Sequence, residues 1–282
     1  MFTTLVGTEA LAARLRDPFI VVVDLRHDLM QPDHWGESQF RAGHIPGARF
    51  VHTDRDLCAP KTGRNGRHPL PGTKACAEVF GRLGIDATTQ VVAYDQGVGM
   101  YAAHLWWMLR SLGHEAVAVL DGGFALWTRE GRPVATDTPA YAATTFAPRP
   151  VAATLDAAAV GAGLPSRSHL LIDARARERF RGDTEPLDPV AGHIPGAVNR
   201  PFPDNLGADG RFKPASTLAA EFTALMAGRA AHDLVHYCGS GVSACHNLLA
   251  MAHAGLPGAK LYPGSWSEWC SDPTRPVARG DA

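Results

Sequence analysis

At ~150 residues per domain, a chain of 282 residues points to two domains, and a single hydrophobic core is near its growth limit at this size. A content of 45% hydrophobic and 20% charged residues is that of a folded globular protein and excludes disordered and collagen-like classes. A net charge of −1 offers no basic face for nucleic acid and no polybasic segment for a membrane surface. Five cysteines, an odd number thinly spread, read as free thiols of a reducing compartment. The N-terminal segment does not read as a secretory signal and the purest apolar run, residues 19–23, is too short for a bilayer, so the expected location is the cytoplasm.

In chain order, FIVVVDL (19–25) is a short β-branched run of the kind buried on both faces of a parallel sheet. AGHIPGA follows at 42–48, then Ala75, Val79 and Leu83 recur at helical spacing. A second strand, VVAYD (91–95), runs into a glycine-containing turn and a helix with Tyr101, Leu105, Met108 and Leu112 on one face. GGFALW (122–127) and RPV (132–134) close this half, and Trp106 and Trp107 are expected in its core. Residues 138–152 are rich in Thr and Pro and read as an extended linker.

The same blocks then return in the same order. HLLIDA (169–174), AGHIPGA (191–197), a helical spacing at Leu218, Phe222 and Leu225, DLVHYC (233–238), GSWSEW (264–269) and RPV (275–277) retrace the first half. A seven-residue identity in register with the other blocks marks a tandem duplication. Alternating strands and helices imply an α/β fold with two parallel sheets, each flanked by helices. The expected domains are 1–137 and 153–282, with 138–152 between them. His44 and His193 occupy the same place in both copies of AGHIPGA and are expected to stabilise a turn.

In open α/β sheets, ligands bind beyond the carboxyl ends of the strands. In the second copy that place holds Cys238, followed by Gly239, Ser240, Gly241, Val242 and Ser243 before a helix. Two glycines let the backbone curl so that successive N–H groups point inward at a helix N-terminus, an arrangement that favours a thiolate. Cys238 is therefore the expected nucleophile, against the alternative of a buried structural cysteine. Phosphoryl transfer would need fixed positive charge on the equatorial oxygens, and residues 239–246 contain no Arg or Lys. There is no C-x-x-C pair for dithiol chemistry, and Cys245 reads as helix packing. His232, His236, His246 and His253 fall near the loop in sequence but match no zinc spacing, so neither a metal nor another cofactor is expected.

A tandem α/β repeat with GHIPGA in each half, C-G-S-G-V-S after the second-copy strand and G-S-W-x-E-W near the end resembles the two-domain rhodanese sulfurtransferases over essentially the whole chain. The resemblance implies that Cys238 takes up a sulfane sulfur as a persulfide and passes it to cyanide or a thiol, such as thioredoxin or a low-molecular-weight thiol. It also implies that the first half is non-catalytic, because Asp95 stands where Cys would be. The loop resembles the C-G-[ST]-G-V-T of enzymes that use 3-mercaptopyruvate rather than the C-R-K-G-V-T of those that use thiosulfate. The chemistry of the loop agrees. Thiosulfate is a dianion that benefits from loop cations, whereas 3-mercaptopyruvate leaves as an enolate suited to a hydroxyl and a remote acid.

By the same resemblance, Arg179 binds the donor anion, the amides of Gly239, Gly241, Val242 and Ser243 hold the persulfide, and Ser240 assists with support from His68 and Asp56. Two departures stand out. The family's second Arg is missing from the segment 184–189, TEPLDP, and Pro263 stands where Asp is frequent. Thiosulfate as the donor, or a non-catalytic persulfide carrier, are the alternatives the sequence leaves open.

Overall fold

The computed structural model describes residues 1–138, 140–151 and 153–281. These form two compact units, one made of 1–58, 71–151 and 208–212, the other of 59–70, 153–207 and 213–281. The segment 59–70 of the first half thus belongs to the second unit, and 208–212 of the second half to the first. Residues 139 and 152 of the expected linker lie outside the described residues.

The first unit contains β1 (Leu5–Val6), β2 (Ile20–Asp24), β3 (Arg49–Phe50), β4 (Gln90–Tyr94) and β5 (Val117–Leu120), all parallel in the order β1-β5-β4-β2-β3. The second contains β6 (Leu170–Asp173), β7 (Val198–Asn199), β8 (Leu234–Tyr237) and β9 (Lys260–Leu261), parallel in the order β7-β6-β8-β9. The apolar runs at 19–25 and 169–174 become β2 and β6, which pair in register with β4 and β8. All five residues of β4 and all four of β8 are buried, as expected of central parallel strands covered on both faces. Helices Thr73–Arg82, Met100–Ser111 and Ala215–Met226 lie where the periodicity places them. In the first, the inward face is Cys76, Val79, Phe80 and Leu83, while Ala75 is exposed.

The duplication holds at the level of single hydrogen bonds. Asp24 and Asp173 end their strands and bind Arg26 Nη2 and Arg175 Nη2 at 2.7 and 2.6 Å. Each guanidinium also reaches a carbonyl in its AGHIPGA block, Gly43 or Gly192, at 2.7 Å. Tyr94 and Tyr237 hydroxyls accept the N–H of Ile45 and Ile194. His44 Nδ1 and His193 Nδ1 meet the carbonyls of Phe40 and Phe180 at 2.8 Å, with the rings stacked on those phenylalanines. Both histidines also form antiparallel bridges with Ala135 and Ala278, so each copy's RPV end folds back onto its turn. These histidines are structural.

Residues 140–151 have no regular secondary structure and are mostly exposed, but are tied to the first unit at several points. Phe146 is buried against Phe80, and the N–H groups of Thr144, Arg149 and Val151 donate to Gly81, Leu112 and Ser111. A Cβ at Gly81 would come within 2.7 Å of the Thr144 carbonyl, which is why the strap lies so close to that helix.

Beyond β4, Asp95 occupies the loop that leads into Met100–Ser111. Its Oδ1 accepts the N–H of Gly97 and Gly99 at 3.0 and 2.9 Å, and its Oδ2 those of Tyr101 and Ala102 at 3.0 and 3.5 Å. The loop is an anion nest filled by its own carboxylate. Burial pushes the Asp95 pKa up, and the four N–H groups oppose that shift. Asp95→Ala leaves these buried donors unpaired at about 1–3 kcal/mol for each one that water does not reach, so the first unit should lose stability by at least that much. Asp95→Asn, which keeps one acceptor oxygen, should lose less. Urea unfolding followed by tryptophan fluorescence reads the difference, and a wild-type midpoint for Asp95→Ala would contradict the role given to the carboxylate.

Candidate active site

β8 delivers Cys238 to the corresponding place in the second unit, buried at the mouth of residues 239–243, with helix Ala244–His253 beyond. The Gly241 N–H donates to Cys238 Sγ at 3.1 Å. Gly241 has φ +85°, and a Cβ there would lie 2.4 Å from the Pro263 carbonyl oxygen, so both conformation and space require glycine. What residue 263 presents to the loop is its backbone carbonyl. Val242 is buried and Ser243 leads into the helix, with their carbonyls accepting from Cys245 and His246 N–H.

The Cys238 backbone is held from helix Ser265–Trp269. The N–H groups of Trp266 and Ser267 donate to the Cys238 and Gly239 carbonyls at 2.9 Å. The first unit repeats this, with Phe124 and Ala125 N–H on the Asp95 and Gln96 carbonyls. One residue differs in kind. The position held by Gly123 at φ +57° in the first unit is Ser265 at φ +53° in the second. A left-handed conformation costs a non-glycine residue about 1–2 kcal/mol. Ser265 Oγ offsets this by accepting the Cys238 N–H at 3.1 Å and donating to the Tyr262 carbonyl at 2.9 Å.

The segment 59–70 is closed on itself by a hydrogen bond from Ala59 N–H to the Pro69 carbonyl. It is anchored by the Arg67 N–H on Ser267 Oγ at 3.0 Å. It brings His68, itself buried, so that Nδ1 is 2.7 Å from Ser240 Oγ. The expected Ser240–His68 pair is therefore formed. Asp56 is engaged elsewhere. Within the first unit, its Oδ2 accepts the His52 N–H at the start of helix Thr53–Asp56, and its Oδ1 meets Arg82.

Arg179, on helix Arg177–Arg181, binds Glu185 at 2.6 Å and Asp188 at 3.2 Å. Arg175 joins Glu185 to Asp173, and Arg67 Nη1 is paired with Asp188. Three guanidiniums thus meet three carboxylates. Burial raises the Asp188 pKa, opposed by the Arg67 and Arg179 guanidiniums. The five loop residues carry no cation of their own, yet two come to them. A Cβ at Gly239 would lie 2.6 Å from Arg67 Nη2 and 3.6 Å from both terminal nitrogens of Arg179. Glycine at 239 leaves that space open.

Cys245 is a different thiol from Cys238. Its Sγ donates to the Gly241 carbonyl at 3.3 Å, and burial pushes its pKa well above the ordinary range. Cys76 and Cys270 are pushed up by burial to about 11. Sequence reasoning missed Arg67, Glu185 and Asp188, and placed Ser265 with Trp266 in the cleft lining without foreseeing its hold on the Cys238 backbone. Only Ser265 left a signal, as the non-glycine residue opposite Gly123 in the repeat.

Comparison with known proteins follows the same outline. The rhodanese-like domain model matches twice, over residues 8–130 and 156–272. A Pseudomonas aeruginosa protein named for 3-mercaptopyruvate sulfurtransferase activity is 48% identical over 280 residues, 98% of either chain. SseB of Mycobacterium tuberculosis, named for thiosulfate sulfurtransferase activity, is 41% identical over 94% of this chain and 93% of its own. The crystal structure of SseA from Escherichia coli, described as a 3-mercaptopyruvate sulfotransferase, superposes with a TM-score of 0.80 at 32% identity, covering 94% of this chain and 99% of that one. With two domain matches, near-complete coverage and the strand-end cysteine loop in its second copy, the chain belongs to the rhodanese-like family of sulfurtransferases.

Proposed function

We propose that the chain moves a sulfane sulfur from 3-mercaptopyruvate through a Cys238 persulfide to a thiol or cyanide acceptor. The observation that carries this reading is the Ser240–His68 hydrogen bond beside a cysteine whose sulfur accepts the Gly241 N–H. The Cys238 thiolate attacks the donor sulfur, an S–S bond forms, and the C–S bond breaks with its electron pair passing to the pyruvate enolate. The donor's own thiol proton balances the step, and Ser240 with His68 offers a route for it to the enolate carbon. The loop amides then hold the terminal sulfur, as the equivalent amides hold the Asp95 carboxylate. An acceptor thiolate removes that sulfur and restores Cys238.

The electrostatics support a singly charged donor. With three guanidiniums matched by three carboxylates, a keto-acid carboxylate adds one charge, and Arg179, whose Nε and Nη2 are held by Glu185 and Asp188, offers it Nη1. Thiosulfate brings two charges, and the sulfite it releases must be stabilised with no cation on the loop itself.

Incubation with 3-mercaptopyruvate should add about 32 Da, one sulfur atom, to the intact mass through the free thiolate. Cys238→Ala should abolish the adduct and Cys245→Ala should retain it; an adduct surviving in Cys238→Ala sinks the assignment of the nucleophile. Steady-state kcat/KM should be higher for 3-mercaptopyruvate than for thiosulfate, and replacing Gly239 and Ser240 by Arg and Lys should shift the ratio towards thiosulfate. A preference for thiosulfate in the unmodified protein would overturn the choice of donor. His68→Gln should lower kcat with 3-mercaptopyruvate by about a hundredfold or more, the usual scale for lost proton transfer. Its effect on thiosulfate, which leaves without an enolate, should be small, and equal losses with both donors would remove the proton-transfer role.

A further inference from the structure

We propose that Arg67 is the second donor-binding guanidinium of this site, pairing with Arg179 to clasp the carboxylate of the keto-acid donor. The proposal rests on the functional reading above and adds a specificity-determining residue to it. Three observations carry it.

The first is convergence. Arg67 comes from the segment 59–70 and Arg179 from a helix more than a hundred residues later, yet both guanidiniums meet over Gly239, the residue next to the nucleophile. Of the two, Arg67 Nη2 is nearer to the loop.

The second is the layering of charge. Asp188 and Glu185 are nearly sealed, each side chain only 3% exposed, whereas Arg67 and Arg179 keep 24% and 17% of theirs open. The carboxylates lie behind and the guanidiniums in front. Asp188 touches both guanidiniums, one through each of its oxygens, and so sets the two forks side by side. Glu185 takes Arg179 Nε and Nη2, and Asp188 takes Arg67 Nη1 and Arg179 Nη2, which leaves Arg67 Nη2 and Arg179 Nη1, both beside Gly239, for a ligand. Arg67 Nε is buried and has no hydrogen-bond partner among the described residues.

The third is the fixing of the segment. Gly66, at φ +85°, lies so close to Gly264 that a Cβ would come within 2.9 Å of its carbonyl oxygen, and the Arg67 N–H is bound to Ser267 Oγ. Gly264 and Ser267 flank the residues whose side chain and amide hold the Cys238 backbone. The same few residues therefore position the nucleophile and the guanidinium. Lysine would not reproduce the arrangement, because a point charge cannot span Asp188 and a ligand carboxylate as a planar fork does.

The test compares 3-mercaptopyruvate with its methyl ester, which undergoes the same sulfur transfer without the carboxylate. Arg67→Gln should raise KM for the acid by about ten- to a hundredfold, the scale of one lost charge-assisted hydrogen bond. The variant's kcat for the acid and its kcat/KM for the ester should stay within about twofold of the unmodified protein. Arg67→Lys should give an intermediate KM for the acid. An unchanged KM for the acid in Arg67→Gln overturns the proposal. Equal losses with acid and ester overturn it too, since they would mean that Arg67 only supports the loop. If the unmodified protein transfers sulfur from neither compound, the functional reading fails first, an outcome distinct from turnover that is indifferent to residue 67.

Discussion

Peptide N–H groups turned inward at the end of a central parallel strand are the constraint on which both halves of this protein are built. Such a nest cannot be left empty in a buried place, because unpaired donors are costly there. The first unit fills it with the Asp95 carboxylate, held by four amides. The second places Cys238 at the equivalent position, where the Gly241 N–H meets the sulfur. One backbone device thus holds a self-satisfied carboxylate in one copy and a cysteine sulfur in the other.

Around that nest the second copy has acquired features that its twin lacks. The clearest is Ser265, which holds a left-handed backbone where the first unit uses Gly123. Its hydroxyl fastens the Cys238 N–H, so backbone strain coincides with the positioning of that cysteine. Elsewhere the duplication is conservative. The Asp–Arg pairs, the histidine turns and the tyrosine hydroxyls recur with nearly equal distances, because they lock the strand ends in either copy.

The charge arrangement brings cations beside a loop of neutral residues. Cations written into the loop would act as fixed charge beside the sulfur. Here the guanidiniums arrive from elsewhere in the chain and are held by buried carboxylates, so they are ordered before any ligand binds. Their partly exposed faces remain available, and their charge is largely balanced. On the proposed reading, such a site suits a planar, singly charged group better than a compact dianion.

The sequence by itself determined the repeat, the parallel α/β architecture, the buried strands β2, β4, β6 and β8 and the position of Cys238. These are local matters, set by apolar runs, helical spacing and glycines at fixed offsets. The structural role of His44 and His193 was legible because both copies carry them. The exchange of residues 59–70 and 208–212 between the compact units was not, since no local pattern records which body a loop packs on. That packing decided the rest of the site. It gave His68 its partner in Ser240, left Asp56 to the first unit, and brought Arg67 to Gly239, a convergence of distant segments that only the folded chain can specify.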